Sequence, residues 1–416
     1  MDTFVGIGTP WQIGRAHGEQ LAEAVAANIE LFWRRTAAAG LGGRPLRTAA
    51  IAQERRVLAD ARCEEIAGIA AGARLEYPDV LAYNLFHGRI YPEECTVMWA
   101  LPDATAGGRT LFMKNSDKIG REDMVGPNFH KNKEINVLVA LRQSGKPAII
   151  GVGQAGGTGL KMGINDRGVC AGTNIARTYE LRTRAVTSTQ ERAVDRAQLA
   201  RDGLELTAAM LATQTMVARV AESPMATPGN LEFVDSSRAY VIEGSYDRVA
   251  VQAYEKGVGS RTNRFVTLHE LNDPRDLSSY CRFVRTQELL AAGAGRLTLD
   301  DFAAFTRDHA NGPGPNSICR HHDDVRSETT QSALVAELNG ASPADSVVRV
   351  ALGKPCHAWR HADGHIELTL RFKIEDIPEG LRTGEVWKKY WTEEPFEAEP
   401  AAAPAAAGRT AGRASA

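Results

Sequence analysis

Six cysteines punctuate the sequence, Cys63, Cys95, Cys170, Cys281, Cys319 and Cys356, and Cys95 stands where helical periodicity gives way to a strand-like pattern. A thiol on the first residue of a strand can be presented at a sheet edge, where its thiolate form is a strong nucleophile. The competing reading is a buried strand cysteine, the usual fate of a free thiol. Downstream, Lys114-Asn115-Ser116-Asp117 closes the next strand-like run. If these two runs form a hairpin, the end of the second returns to the start of the first. Asp117 then lies close to Cys95, where a carboxylate could orient an amine or accept a proton. Taken alone it also fits a solvated turn. A third element, Gly259-Ser260-Arg261-Thr262-Asn263, precedes an expected strand at 264–268. The side-chain amide of Asn263 could donate to a developing oxyanion, although Asn in a loop is common.

Other constellations are weaker. His321-His322-Asp323-Asp324 and His357-x3-His361-x3-His365 suggest metal ligands, but the second set contains Gly364 and runs into a strand, so its imidazoles would not share a helical face. No metal site is expected, and no cofactor. Gly151-x-Gly153-x2-Gly156-Gly157 follows a strand but opens no helix, so a dinucleotide fold is not indicated. The local signature of a papain-type Cys–His pair is absent.

The elements that must position these residues fall into blocks. Residues 1–94 read as mainly helical, with apolar residues at helical spacing over 9–35 and 49–73 and a short helix near 78–86. From Cys95 onward the texture is β-rich: 95–101, 110–114, 135–143, 147–153, 160–165 and 168–174. A helical stretch over 189–221 precedes strands at 230–244, 248–254 and 264–268, helices at 277–292 and 299–309, and strands at 332–338, 346–352 and 365–372. Paired strands, then helices, then paired strands make an α+β chain with largely antiparallel sheets. Residues 394–416 are rich in Ala and Pro and read as a disordered tail.

A formal net charge of -2 gives no electrostatic footprint for nucleic acid or an anionic membrane surface, so neither is expected as a partner. No apolar run is long enough to span a bilayer, and the opening residues do not resemble a secretory signal. With scattered cysteines and no CxxC pair, the thiols read as free in a reducing cytoplasm.

Together the three elements resemble the isopenicillin N acyltransferase (acyl-coenzyme A:6-aminopenicillanic acid acyltransferase) family of N-terminal-nucleophile hydrolases. Cys95-Thr96-Val97 is similar to its Cys-Thr-Thr start, and Lys114-Asn115-Ser116-Asp117 to its Gln-Asn-Trp-Asp. Gly163-Ile-Asn165-Asp-Arg-Gly168-Val169, followed by Asn174, resembles its Gly-Phe-Asn-Ser-Ala-Gly-Val strand pair. Thr262-Asn263 stands where the family has His-Thr-Asn, and Ser317-Ile318-Cys319-Arg320 repeats its Ser-Ile-Cys-Arg. Gly8-Thr9-Pro10 and Gly14-x3-Gly18 fit its pro-segment, and the likeness spans roughly 5–375.

The resemblance implies an αββα four-layer sandwich, two antiparallel sheets between helical layers, preceded by a helical pro-segment. The implied division is a 1–94 α chain, a 95–393 catalytic β chain and the 394–416 tail. It implies scission between Glu94 and Cys95, a Cys95 thiol nucleophile with its freed α-amine as base, Asn263 as oxyanion donor, and Asp117 holding the amine or shaping the pocket. Thr96, Asn174, Ser327 and Glu328 would line the substrate. The implied activity is cleavage of a linear amide of a small N-acyl compound through an acyl-thioester. Alternatives are acyl transfer to an amine, with coenzyme A as a donor, and a silent binding protein of the same fold. The two fragments would stay associated. Two departures stand out: Glu94 replaces the family's glycine before the nucleophile, and Glu328, after Ser327, occupies the place of an arginine that acts at the family's site, which implies a different substrate.

Overall fold

A computed structural model describes residues 2–90, 94–119, 135–183, 193–321, 328–362, 364–373, 376, 377 and 379. The chain opens with strand β1 (Asp2–Gly8) and five helices, α1 (Pro10–Gln20), α2 (Ala22–Ala38), α3 (Gly43–Val57), α4 (Asp60–Ala73) and α5 (Tyr77–Ile90). Strands β2 (Glu94–Ala100), β3 (Thr110–Ile119), β4 (Asn136–Gln143), β5 (Ile149–Gln154), β6 (Leu160–Asn165) and β7 (Cys170–Ile175) follow. Next come α6 (Tyr179–Thr183), α7 (Arg196–Leu204) and α8 (Ala209–Glu222), then β8 (Gly229–Val234), β9 (Ala239–Gly244), β10 (Val249–Tyr254) and β11 (Val258–Arg261). The remainder is α9 (Leu277–Gly293), α10 (Leu299–Thr306), β12 (Glu328–Leu338), β13 (Val347–Leu352), α11 (Pro355–Ala358) and β14 (His365–Thr369).

The strands form two sheets, ordered β1-β4-β5-β6-β7-β8-β9-β10 and β11-β2-β3-β12-β13-β14. Three apolar cores show how they stack. Val97, Trp99 and Phe112 of the smaller sheet pack with Leu138, Ile150 and Met162 of the larger one, so the sheets lie face to face. The other face of the larger sheet packs Val139 and Phe233 against Ile13, Ile29, Ile66 and Leu199 from the helices. The other face of the smaller sheet packs Met98 and Met113 against Leu290 and Phe302 of α9 and α10. This is the αββα sandwich that the resemblance implied. Strands β4 to β9 are almost wholly buried because both of their faces are covered.

The helical N-terminal segment precedes the remaining strands of the sandwich in sequence and packs into it. Its helices join α7 and α8 in one outer layer, and β1, which helical periodicity did not disclose, pairs in parallel with β4 at the edge of the larger sheet. Thr9 starts α1 with a capping box to Gln12, and Pro10 occupies the first turn. Helices α1 and α4 then cross at backbone contact. A β-carbon on Gly14 would lie 1.9 Å from the carbonyl oxygen of Glu65, and one on Gly72 would lie 2.2 Å from that of Arg15.

One expected strand is absent. Residues 264–268 form no ladder; instead the backbone N–H groups of Val266, Thr267 and Leu268 donate to the Glu243 carboxylate at 2.8, 2.8 and 2.9 Å. A segment wrapped around one carboxylate cannot also extend along a sheet. The strand beside the candidate nucleophile is β11. The expected helix over 189–221 is two helices, α7 and α8. The expected tail, 394–416, lies outside the described residues.

Candidate active site

The hairpin of β2 and β3 pairs Glu94 with Asp117 and Cys95 with Ser116, so Asp117 is brought beside the candidate nucleophile. Lys114 through Asp117 form a buried strand, not a solvated turn. On the other side β11 runs antiparallel to β2, with Arg261 opposite Val97. Two residues further on, the chain reaches Asn263 opposite Cys95. Its Oδ1 accepts the Cys95 backbone N–H at 3.1 Å and an Arg282 Nη2 hydrogen at 2.7 Å, while its Nδ2 donates to the Ile175 carbonyl at 2.9 Å. Two donors on one atom and a carbonyl acceptor on the other fix the amide's orientation. The amide nitrogen that an oxyanion donor would use is thus turned toward Ile175, and the amide oxygen holds the nitrogen of Cys95.

Three arginines converge on the residue before the thiol. Arg177 donates to Glu94 Oε1 through Nε at 2.9 Å, Arg282 Nη2 donates to Oε2 at 2.9 Å, and Arg320 Nη1 binds Oε2 as well. Arg282, on the buried face of α9, also donates through Nη1 to the Cys95 carbonyl at 2.9 Å and to Thr96 Oγ1 at 3.0 Å. Its helix is fixed to β11, because Thr262 Oγ1 donates to the Ser279 carbonyl at 3.0 Å.

Opposite charges balance these cations. Asp117 accepts from Thr330 Oγ1 at 2.6 Å, and its other oxygen lies 4.0 Å from both Arg282 and Arg320. Burial pushes the Asp117 carboxyl above its usual range, against the pull of Arg320 and Arg282. Asp276, the cap of α9, is pushed up by burial first and then by the like charge of Glu94. The arrangement holds three guanidinium groups against three carboxyls around a thiol that is 2 % exposed.

Of the other expected site residues, Thr96 is buried and in contact with Arg282. Asn174, on β7, donates to the Arg261 carbonyl at 3.3 Å, so it supports β11. Glu328 heads β12 opposite Ile119, and Ser327 lies outside the described residues. Sequence reading assigned no role to Arg177, Arg282, Asp276 or Thr330. Arg320 was visible only as the last letter of a motif. For Arg282 a signal was present, since it shares one helical face with the buried Ser279, Thr286 and Leu290, and an arginine on a buried stripe needs an anionic partner.

The chain's sequence matches no protein family and no curated protein. Among solved structures it is similar to an N-acylethanolamine-hydrolyzing acid amidase ortholog from Caenorhabditis elegans, with 15% identity and a TM-score of 0.35 over 58% of this chain and 92% of that one. It is similar to penicillin V acylase from Agrobacterium tumefaciens, with 11% identity and a TM-score of 0.32 over 62% and 82% of the two chains. A mutant of conjugated bile acid hydrolase from Clostridium perfringens shows 10% identity and a TM-score of 0.38 over 69% and 95%. At these TM-scores the likenesses carry no functional weight.

Proposed function

We propose that this chain is a self-processing cysteine amidohydrolase. The observation that carries the reading is the seat around Cys95: its backbone nitrogen is received by Asn263 Oδ1 and its carbonyl by Arg282. A nucleophile that uses its own α-amine as base needs such a seat, because the amine must be held with its lone pair free for the thiol proton. In the first step the Cys95 thiol adds to the Glu94 carbonyl. The C–N bond breaks as the C–S bond forms, and the nitrogen takes up the proton. Water then cleaves the thioester, leaving a Glu94 carboxylate and a free Cys95 amine and thiol. That amine, with a pKa of about 8, serves each later turnover, in which Cys95 takes the acyl group of a linear amide and passes it to water. Acyl transfer to an amine, from an amide or from coenzyme A, differs only in the acceptor.

The charge balance favours an anionic substrate. Glu94 neutralises part of a cluster of Arg177, Arg282 and Arg320. If its fragment end withdraws after scission, three guanidinium groups face two carboxyls and a new amine, a site suited to a carboxylate on the N-acyl compound.

Intact mass of the purified protein beside Cys95→Ala tests the processing step. A break between Glu94 and Cys95 that the variant lacks supports it, and a wild type that stays whole overturns it. For turnover, iodoacetamide should label Cys95 first and abolish hydrolysis of N-acyl amino acids. Labelling no faster than at the other cysteines would favour a silent binding protein. Added hydroxylamine should compete with water for the acyl group, and capture faster than hydrolysis would favour the transferase.

A further inference from the structure

A second sulfur-bearing cluster lies behind the site, on the far side of Arg320. His309 follows α10, Cys319 and His321 flank Arg320 in the segment leading to β12, and Cys356 sits in α11. The four side chains come from three separated stretches, yet their ligand atoms all lie within 4.8 Å of one another. His309 Nε2 is 3.0 Å from His321 Nε2, and the latter is 3.2 Å from Cys356 Sγ and 3.9 Å from Cys319 Sγ. In a tetrahedron with metal–sulfur bonds of about 2.3 Å and metal–nitrogen bonds of about 2.0 Å, neighbouring donors stand about 3.3–3.8 Å apart. The observed spacings bracket that range, so small side-chain adjustments suffice.

We propose that His309, Cys319, His321 and Cys356 form a closed tetrahedral site for a zinc ion. Two thiolates and two imidazoles are the donor set that zinc favours over calcium or magnesium, which take oxygen. Four protein ligands leave no open coordination position, so the ion is structural. The backbone around the cluster is already braced: Cys319 N–H donates to the Asp308 carbonyl at 3.1 Å and His321 N–H to that of Pro313 at 2.6 Å.

The position gives the ion a task. Arg320 lies between two of the ligands and reaches Glu94. The carbonyl of Ile318, on the other side of Cys319, accepts from Asn115 Nδ2 at 3.0 Å. Arg320 N–H donates to Thr330 Oγ1 at 2.9 Å, and that hydroxyl donates to Asp117. Ligation would pin the segment that delivers Arg320 and Thr330 to the cysteine site. The metal assignment stands on its own geometry and does not depend on the reaction proposed for Cys95.

Elemental analysis of the full chain, purified without chelator under reducing conditions, should find one zinc per chain. Cobalt substitution should give the visible absorption of tetrahedral Co2+ together with thiolate-to-cobalt charge-transfer bands. Cys356→Ser and Cys319→Ser should each lower zinc content at least tenfold, while Cys281→Ser, outside the cluster, should keep it. If the ligand variants fail to fold, wild-type protein stripped with chelator and titrated with Zn2+ against a chromophoric indicator still decides. One equivalent taken up tightly supports the site. No uptake by folded, reduced protein overturns it, as does a Cys319–Cys356 disulfide found in place of the metal.

Discussion

Cys95 and the Cys319–Cys356 pair are both sulfur sites, and they differ in what surrounds the sulfur. Around Cys95 the neighbours are guanidinium groups and an amide, directed at the backbone and at Glu94. Around Cys319 and Cys356 they are imidazoles directed at the thiols themselves. The first arrangement fixes the backbone of Cys95; the second converges lone pairs on a common point. Arg320 belongs to both regions, because it stands between Cys319 and His321 in the chain while its guanidinium reaches Glu94.

The largest expected effect separates the two sulfurs by function. Cys95→Ala should leave the chain in one piece and lower amide hydrolysis by at least about a thousandfold, whereas Cys281→Ala should change neither, as read by intact mass and initial rates. Next is the support of the cysteine seat. Arg282→Met keeps the bulk but strips four hydrogen bonds and leaves buried carboxyls short of a cation, a loss of about 3–5 kcal/mol in denaturant unfolding. Adding Glu94→Gln should recover part of that loss, and strict additivity would show that the pair is not coupled.

A buried carboxyl without such support gives a contrasting pH dependence. Glu232 is raised from 4.5 to about 7, chiefly by burial and against the pull of Lys114 and Arg261. Because its folded value lies above its unfolded one, its contribution is complete below pH 4.5 and is lost as the pH rises through about 7. Wild type should shed roughly 3 kcal/mol from this group between those limits. Glu232→Gln should flatten that slope, and an unchanged slope would refute the assignment. The smallest effect belongs to the exposed pair Arg15–Glu19 on α1, where Arg15→Ala should cost no more than about 0.5 kcal/mol by the same unfolding measurement.

Much of the architecture was legible because burial leaves a periodic trace. The hairpin that carries Cys95 to Asp117 and the amphipathic helix that became α9 followed from spacing alone. Strand β1 was hidden because a short parallel edge strand lacks the turn that marks a hairpin. The strand expected at 264–268 failed because Glu243, distant in sequence, captured its N–H groups. In the candidate site, the residues that one hairpin brings together were readable, Cys95 and Asp117 among them. Those that act through convergence were not: Arg177, Arg282 and Arg320 meet at one carboxylate from three unrelated segments. The histidine motifs, set aside in the sequence, gave no sign of the grouping around His321 for the same reason. His321 meets Cys319 and Cys356, because side chains gather by folding and not by adjacency in sequence.

The parallel pairing of β1 with β4 has a thermodynamic consequence. If the chain is cut after Glu94, that ladder and the packing of the N-terminal helices on the larger sheet join two polypeptides, and unfolding becomes a dissociation. The melting midpoint of the cut protein should then rise with protein concentration, as it does for an obligate dimer, while that of an uncut Cys95→Ala chain should not. Once separated by heat, the halves must find each other by diffusion, so recovery on cooling would be second order and would fail first at high dilution.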